Sequence, residues 1–262
     1  MELRTGTSGY SYDEWKGCFY PEKLPARERL AFYGEQLPAV EINNTFYRLP
    51  GANVLEHWCE QVPEGFRFVI KATRRITHSK RLKETEDETG YLLRTVATLG
   101  PRLGALLFQL PPRLRCDLPR LEKFMALLPE GTRAAFEFQH DSWRDDAVHA
   151  ALRERGFALV QADPASSGEA EDLAAPTGPV DLVSTAPWGY LRLRRPDYSP
   201  ADLSAWAERL RATGWDEVFV FFNHEEAGAA PRMAAEFLDV AARVFERKRP
   251  AARRPERRRK AG

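Results

Sequence analysis

Apolar and polar positions along this chain follow two rhythms. Short runs, alternating or continuously apolar, have the length and β-branched content of strands, and the stretches between them repeat apolar residues at helical spacing. Eight strands are predicted: Leu3–Thr7, Ala39–Asn43, Phe66–Lys71, Ala105–Leu110, Ala134–Phe138, Ala158–Asp163, Tyr190–Arg194 and Val218–Asn223. Amphipathic helices are predicted at Arg27–Gln36, Ala52–Gln61, Thr85–Leu99, Leu118–Leu128, Asp145–Arg155, Pro200–Thr213 and Pro231–Arg247. Asp117 before Leu118-Pro119 and Ser199 before Pro200 are helix-start signals. The connection 164–187, rich in Ala, Gly, Pro and Ser, carries the weakest helical signal. Eight strands spaced by one βα unit predict an α/β protein, a (β/α)8 TIM-barrel-like single domain over residues 1–245. An open doubly wound sheet is the alternative. No GxGxxG follows the first strand, however, and the even spacing favours closure.

The pattern also locates a site. In Val40-Glu41-Ile42-Asn43 the apolar residues alternate with Glu41 and Asn43, and helices on either side imply that both strand faces are covered. The polar residues then point into an enclosed space. Other strands also finish in polar groups, at Lys71, Gln109, Glu137, Asp163, Arg192 and Asn223. In a barrel, such strand ends meet at the C-terminal mouth, where catalytic groups gather. One inward residue per strand places Glu41 with Asn43, Glu137 with Gln139, Gln161 with Asp163, and Tyr190 with Arg192 and Arg194. Carboxylates, cations and amides crowded together separate their pKa values, as acid/base chemistry requires. A mutually neutralising ion-pair plug is the structural alternative.

Composition changes the picture at the C-terminus and excludes several classes. The formal net charge is +1, yet residues 246–262 carry nine Lys/Arg against two Glu, leaving residues 1–245 near −6. That segment, Pro, Ala, Arg and Lys without apolar bulk, is predicted to be a disordered basic tail, solubilising or polyanion-binding. Cys18, Cys59 and Cys116 are odd in number and form no CxxC pair, which predicts reduced thiols in a cytoplasmic protein. The opening residues lack the pattern of a signal peptide, and no apolar run reaches the ~20 residues of a membrane span.

Positive charge surrounds the predicted mouth. Lys71, Arg74, Arg75, His78, Lys80, Arg81 and Lys83 follow strand three, Arg48 follows strand two, Arg113 and Arg115 follow strand four, and Arg194 and Arg195 end strand seven. Such a rim suits a phosphate, a carboxylate or a nucleic-acid backbone. Glu84, Glu86, Asp87 and Glu88 follow directly and are candidate partners that would neutralise it. Tyr10, Tyr12, Trp15, Phe46, Tyr47, Trp143 and Trp188 are expected on the mouth side, as stacking surfaces or as loop anchors. Glu41, Glu137, Asp163, His78, His140 and His224 are of metal-ligand type, but no HxH or HExxH spacing occurs, and no metal or other cofactor is predicted. No GxSxG elbow supports serine chemistry.

Several ordered motifs give the chain a resemblance to a known family. They are Thr5-Gly6-Thr7-Ser8-Gly9-Tyr10 with Trp15-Lys16-Gly17 and Phe19-Tyr20-Pro21, then Glu41 through Tyr47, Phe68-Val69-Ile70-Lys71 and Thr77-His78. Leu107 through Pro112, Glu137-Phe138 with Ser142-Trp143, Asp163, Tyr190-Leu191-Arg192-Leu193 and Phe221-Phe222-Asn223 complete the series. Over residues 1 to 245 the chain resembles the domain-of-unknown-function family 72, the YecE-like proteins. The resemblance implies a TIM-barrel-like fold and supplies no reaction. Gln139 stands where the family usually has Arg, and Arg194-Arg195 where it usually reads His-Gly.

The functional expectation is an enzyme acting by acid/base chemistry on an anionic, phosphate-bearing substrate. Glu41, Lys71, Glu137 and Asp163 are the candidate catalytic residues; Asn43, Tyr47, His78, Gln109, Trp143, Arg192 and Asn223 are candidate ligand-binding residues. Two other classes stay open: a nucleic-acid-binding protein, with or without phosphodiester cleavage, and a sugar hydrolase or isomerase. Partners are expected among anionic small molecules or nucleic acids and not membranes. Sequence does not specify an oligomeric state.

Overall fold

The computed structural model describes residues 1–163, 182–223 and 228–246. Eight parallel strands close into a barrel in sequence order: β1 Glu2–Ser8, β2 Ala39–Ile42, β3 Arg67–Lys71, β4 Leu103–Gln109, β5 Ala134–Glu137, β6 Ala158–Ala162, β7 Trp188–Leu193 and β8 Glu217–Phe222. β8 pairs back onto β1 from Glu2–Glu217 to Thr7–Phe222. The helices described outside it are α1 Arg29–Gln36, α2 Ala52–Gln61, α3 Glu86–Val96, α4 Leu118–Met125, α5 Asp146–Arg155, α6 Pro200–Thr213 and α7 Ala229–Glu246. Among the described residues, no helix is long and apolar enough to cross a membrane. Most of the weakly helical 164–187 connection, His224, and the predicted tail beyond Glu246 lie outside the described residues.

The start signals work as their chemistry dictates. Asp117 accepts from the Arg120 amide at 3.1 Å, with Pro119 in the first turn of α4. Ser199 forms a capping box with Asp202, satisfying amides at both ends of the first turn of α6.

Strand parity divides the apolar residues into two cores. Val40, Ile42, Phe68, Ile70, Leu106, Phe108, Phe136, Leu191, Val220 and Phe222 face the helices. Ala39, Val69, Ala105, Leu107, Ala135, Ala158, Val160, Trp188, Tyr190, Phe219 and Phe221 fill the barrel. The filling is lopsided. Alanines on β2, β4, β5 and β6 make room for the large rings of β7 and β8. At the N-terminal end, Glu217 accepts from Arg4 at 2.9 Å and from Arg133 at 2.5 Å. Trp188 belongs to this lower end: it opens β7 opposite Glu217, and the Arg133 guanidinium lies 4.5 Å from its ring centroid. The expectation that Trp188 lies on the mouth side is therefore corrected, because the strand starts two residues before Tyr190.

The β1–β2 junction sets the register of the site. A Cβ on Gly6 would come within 1.9 Å of the Ala39 carbonyl oxygen, so only bare backbone fits there. The Tyr33 hydroxyl accepts from the Thr7 amide at 2.9 Å and donates to that carbonyl at 3.0 Å. Ser8 is thereby brought level with Glu41.

Candidate functional site

Two residues further along the same inward faces, the filling turns polar. Above Ala39, Val69, Leu107, Ala135 and Tyr190 come Glu41, Lys71, Gln109, Glu137 and Arg192. The rings of Tyr190, Phe219 and Phe221 form the floor under this layer.

Arg192, 4% exposed, lies between two carboxylates. Its Nη2 donates to Glu41 Oε1 at 2.8 Å and its Nη1 to Glu137 Oε2 at 2.9 Å. Glu41 also accepts from Ser8 Oγ at 2.7 Å, Tyr190 Oη at 2.5 Å and Asn43 Nδ2 at 3.2 Å. Glu137 accepts from Gln109 Nε2 at 3.1 Å and from Arg194. Burial on its own would raise both carboxyl pKa values. For Glu41 it is outweighed by Arg192, Tyr190 and Ser8, and the group stays below the usual carboxylate range. For Glu137 the opposing charges of Arg194 and Arg192 win, and its pKa falls to about 2. Burial would release the Arg192 proton, but the two carboxylates hold it more firmly than in water.

Lys71 is different. Its Nζ lies 4.7 Å from the centroid of the Phe46 ring, and among the described residues no hydrogen bond or ion pair holds it. Burial, followed by the charge of Arg192, lowers its pKa, and Glu41 and Glu137 only partly oppose this. His78 packs edge-on to the same ring, with centroids 4.8 Å apart, and its Nδ1 meets Thr77 Oγ1 at 2.9 Å. Burial and the charges of Lys71, Arg74 and Arg81 bring His78 down to about 4, so it is neutral at pH 7.

The other predicted site residues lie apart from this network. On β6 the inward residues are Ala158 and Val160, so Gln161 and Asp163 point outward, not into the mouth as expected. Gln161 binds the backbone of Val183 in both directions. Asp163 accepts from the Arg194 amide at 2.7 Å and from the Tyr198 hydroxyl, and burial raises its pKa. Trp143 is 2% exposed, stacked on Phe138 at 4.6 Å, with its indole N–H donating to the Leu114 carbonyl at 2.7 Å. Trp15 is fully buried as well, so both indoles anchor loops. Tyr47 is 80% exposed, and the Asn223 backbone N–H donates to the Leu193 carbonyl at 3.1 Å. Of the acidic residues after the basic loop, Glu88 accepts from Arg75 at 2.5 Å and Lys80 at 2.8 Å. Among the described residues, no three His, Cys, Asp or Glu side chains come together as a metal-ligand set.

The Thr7-Ser8-Gly9 turn is a polar strand end in the sequence, but Ser8 is not among the expected site residues; its contact with Glu41 depends on the β1–β2 register, which no local pattern carries. Tyr190 and Arg194 are expected on the right face but not in the ligand set. The period-two pattern Tyr190-Leu191-Arg192-Leu193-Arg194 was the available signal.

A closed parallel (β/α)8 barrel with a buried, charged layer under its C-terminal mouth defines the class of protein. Residues 4–258 match the family described as "Protein of unknown function DUF72", and the chain belongs to that family. It is 31% identical over 140 residues to the UPF0759 protein YecE of Escherichia coli strain K12, an alignment covering 50% of each chain. It is 28% identical over 136 residues to the UPF0759 protein YunF of Bacillus subtilis, covering 47% of each. The chain thus spans about half the length of these curated relatives. A DUF72 family structure from Thermotoga maritima superposes with a TM-score of 0.77 at 26% identity, covering 92% of this chain and 100% of that one. One from Enterococcus faecalis, at 22% identity and a TM-score of 0.72, covers 95% and 97% and shares the fold.

Proposed function

We propose that the barrel mouth is the site of an enzyme that binds an anionic, phosphate- or carboxylate-bearing substrate and moves a proton through Lys71. The observation that carries this reading is the unpaired Lys71 ammonium above two saturated carboxylates. Among the described residues, Lys71, Arg192 and Arg194 set three cations against Glu41 and Glu137, an excess of one positive charge in the layer. Burying that excess is costly, and burial with the charge of Arg192 lowers the Lys71 pKa. An anion bound beside Lys71 opposes that shift. Binding therefore raises the Lys71 pKa and takes up a proton over the pH range in which the amine titrates.

In this reading Glu41 and Glu137 supply a fixed field and do not exchange protons, because their hydrogen-bond and ion-pair partners stabilise the ionised form. That leaves no protonated carboxyl in the layer to serve as the general acid of a sugar hydrolase. Gln109 and Asn43 orient the carboxylates, and Asn223 at the end of β8 is assigned to the ligand. Asp163 acts through the Arg194 backbone, as a positioning residue.

Calorimetric titration with inorganic sulfate, which does not titrate near neutral pH, tests the reading in buffers of different ionisation enthalpy. Proton uptake on binding that disappears in Lys71→Met supports it. Absence of sulfate binding, or binding unchanged in Lys71→Met, overturns it. A panel of phosphorylated metabolites then seeks the substrate.

One observation favours a second reading, nucleic-acid binding. The exposed Tyr47 ring and exposed Arg74 line a cavity of about 510 Å³ together with Thr73, Arg75, Ser79 and Lys80. An exposed ring among cations is the arrangement on which unpaired bases stack. Binding of short single-stranded DNA that weakens with salt and with Tyr47→Ala is its test.

A further inference from the structure

We infer that Lys71 is a carbonyl-capturing nucleophile: its Nζ, at the end of β3 over the Phe46 ring and without a hydrogen bond or ion pair among the described residues, forms an imine with an aldehyde or ketone bearing a carboxylate or phosphate. This rests on the anion-site reading above and names its substrate class. Four features support it. The amine is largely enclosed, and no donor or acceptor must be displaced before it reacts. A guanidinium, that of Arg192, is close enough to favour the neutral form, and a second cation beside a lysine is a known way of freeing its lone pair. Arg192 itself is pinned by Glu41 and Glu137, so it cannot swing away to relieve the repulsion. Finally, the protonated imine keeps the positive charge of the layer in place, where the substrate's own anionic group neutralises it.

The step balances with the groups present. The Nζ lone pair attacks the carbonyl carbon, the C–N bond forms and the carbonyl π pair moves to oxygen. One nitrogen proton passes to that oxygen, giving a carbinolamine. The nitrogen pair then forms C=N as the C–O bond breaks; the departing hydroxyl takes a proton from solvent and leaves as water, and the nitrogen keeps its second proton as the protonated imine. Nothing is oxidised or reduced. His78, neutral and packed on the Phe46 ring that the amine faces, is assigned the proton relay.

The test uses the full chain with pyruvate, glyoxylate or glyceraldehyde 3-phosphate, sodium cyanoborohydride and peptide mapping. One reduced adduct on Lys71 is expected at reagent levels that leave the exposed Lys16, Lys23, Lys83 and Lys123 unmodified. Sulfate should slow its formation at least several-fold, and Lys71→Arg, which keeps the charge, should abolish it. A second readout is the pH profile of trinitrobenzenesulfonate labelling, with Lys71 reacting at lower pH than the surface lysines. Adducts spread evenly over surface lysines, or Lys71 unmodified while they react, overturn the inference. Sulfate binding with proton uptake but no adduct overturns this inference alone. Neither sulfate binding nor an adduct overturns the anion site as well.

Discussion

Replacing Glu137 by Gln removes one carboxylate from beneath Arg192 and Arg194 while keeping shape and one hydrogen-bond acceptor. Glu137 is 4% exposed, so solvent screens little of the loss. Two routes give its size. The group titrates near 2 in the folded chain against 4.5 ordinarily, a gap of about 3 kcal/mol at roughly 1.4 kcal/mol per pH unit. Breaking a buried pair by removing one partner costs about 3–5 kcal/mol. The routes agree on about 3 kcal/mol, which for a chain of this size lowers Tm by roughly 6–12 °C. Because the folded pKa is depressed, this stability is present above about pH 4.5 and is lost as pH falls towards 2. Urea denaturation of both proteins from pH 7 to pH 3 measures it. The gap should be full at pH 7 and narrow at the acid end. A loss below about 1 kcal/mol at pH 7, with unchanged acid dependence, would mean that water already solvates the carboxylate, and the argument for a dry charged layer would fail.

The remaining predictions concern separate residues. Lys71→Met should leave stability at neutral pH unchanged or raised, since an amine whose folded pKa is depressed opposes folding until pH passes its ordinary, unfolded value; urea melts check this, and a loss above about 2 kcal/mol would favour the ion-pair plug. Trp143→Ala should cost about 3–5 kcal/mol through lost stacking on Phe138 and an orphaned Leu114 carbonyl, with sulfate affinity unchanged while the protein stays folded. Tyr47→Ala should shift stability by no more than about 0.5 kcal/mol; under the nucleic-acid reading it weakens single-stranded DNA binding by about 1–3 kcal/mol in a fluorescence anisotropy titration.

The barrel was legible because covering both faces of eight strands forces apolar runs at even spacing. The ends of α2 and α6 coincide with expectation, most others differ by a residue or two, and α3 and α4 stop three residues early at Val96 and Met125. The juxtaposition of Glu41, Lys71, Gln109, Glu137 and Arg192 was also legible, since one inward residue per strand fixes the rest by parity. Parity failed on β6. Ala158-Leu159-Val160-Gln161-Ala162 is apolar at both phases until Gln161, so the polar residue suggested an inward face that the small Ala162 occupies instead. Trp143 and Trp15 show a different limit: an aromatic residue in a loop reads alike as a ligand platform or an anchor, and only tertiary burial separates them. Ser8 needed the register set at Gly6 and Tyr33. Most of all, the division of labour between saturated carboxylates and an unpaired lysine depends on which guanidinium reaches which oxygen, and that is a three-dimensional fact.

The unequal filling of the barrel makes the depth of the mouth adjustable. With alanines on β2, β4, β5 and β6, the largest side chains below the charged layer are the rings of Trp188, Tyr190, Phe219 and Phe221 on two adjacent strands. Trimming either phenylalanine would lower the floor on one side without touching Glu41, Lys71 or Glu137. The charged layer and the depth of the space above its floor are thus set by different residues. Under the anion-site proposal, substitutions at positions 219 and 221 change the length of ligand admitted and leave Lys71 in place.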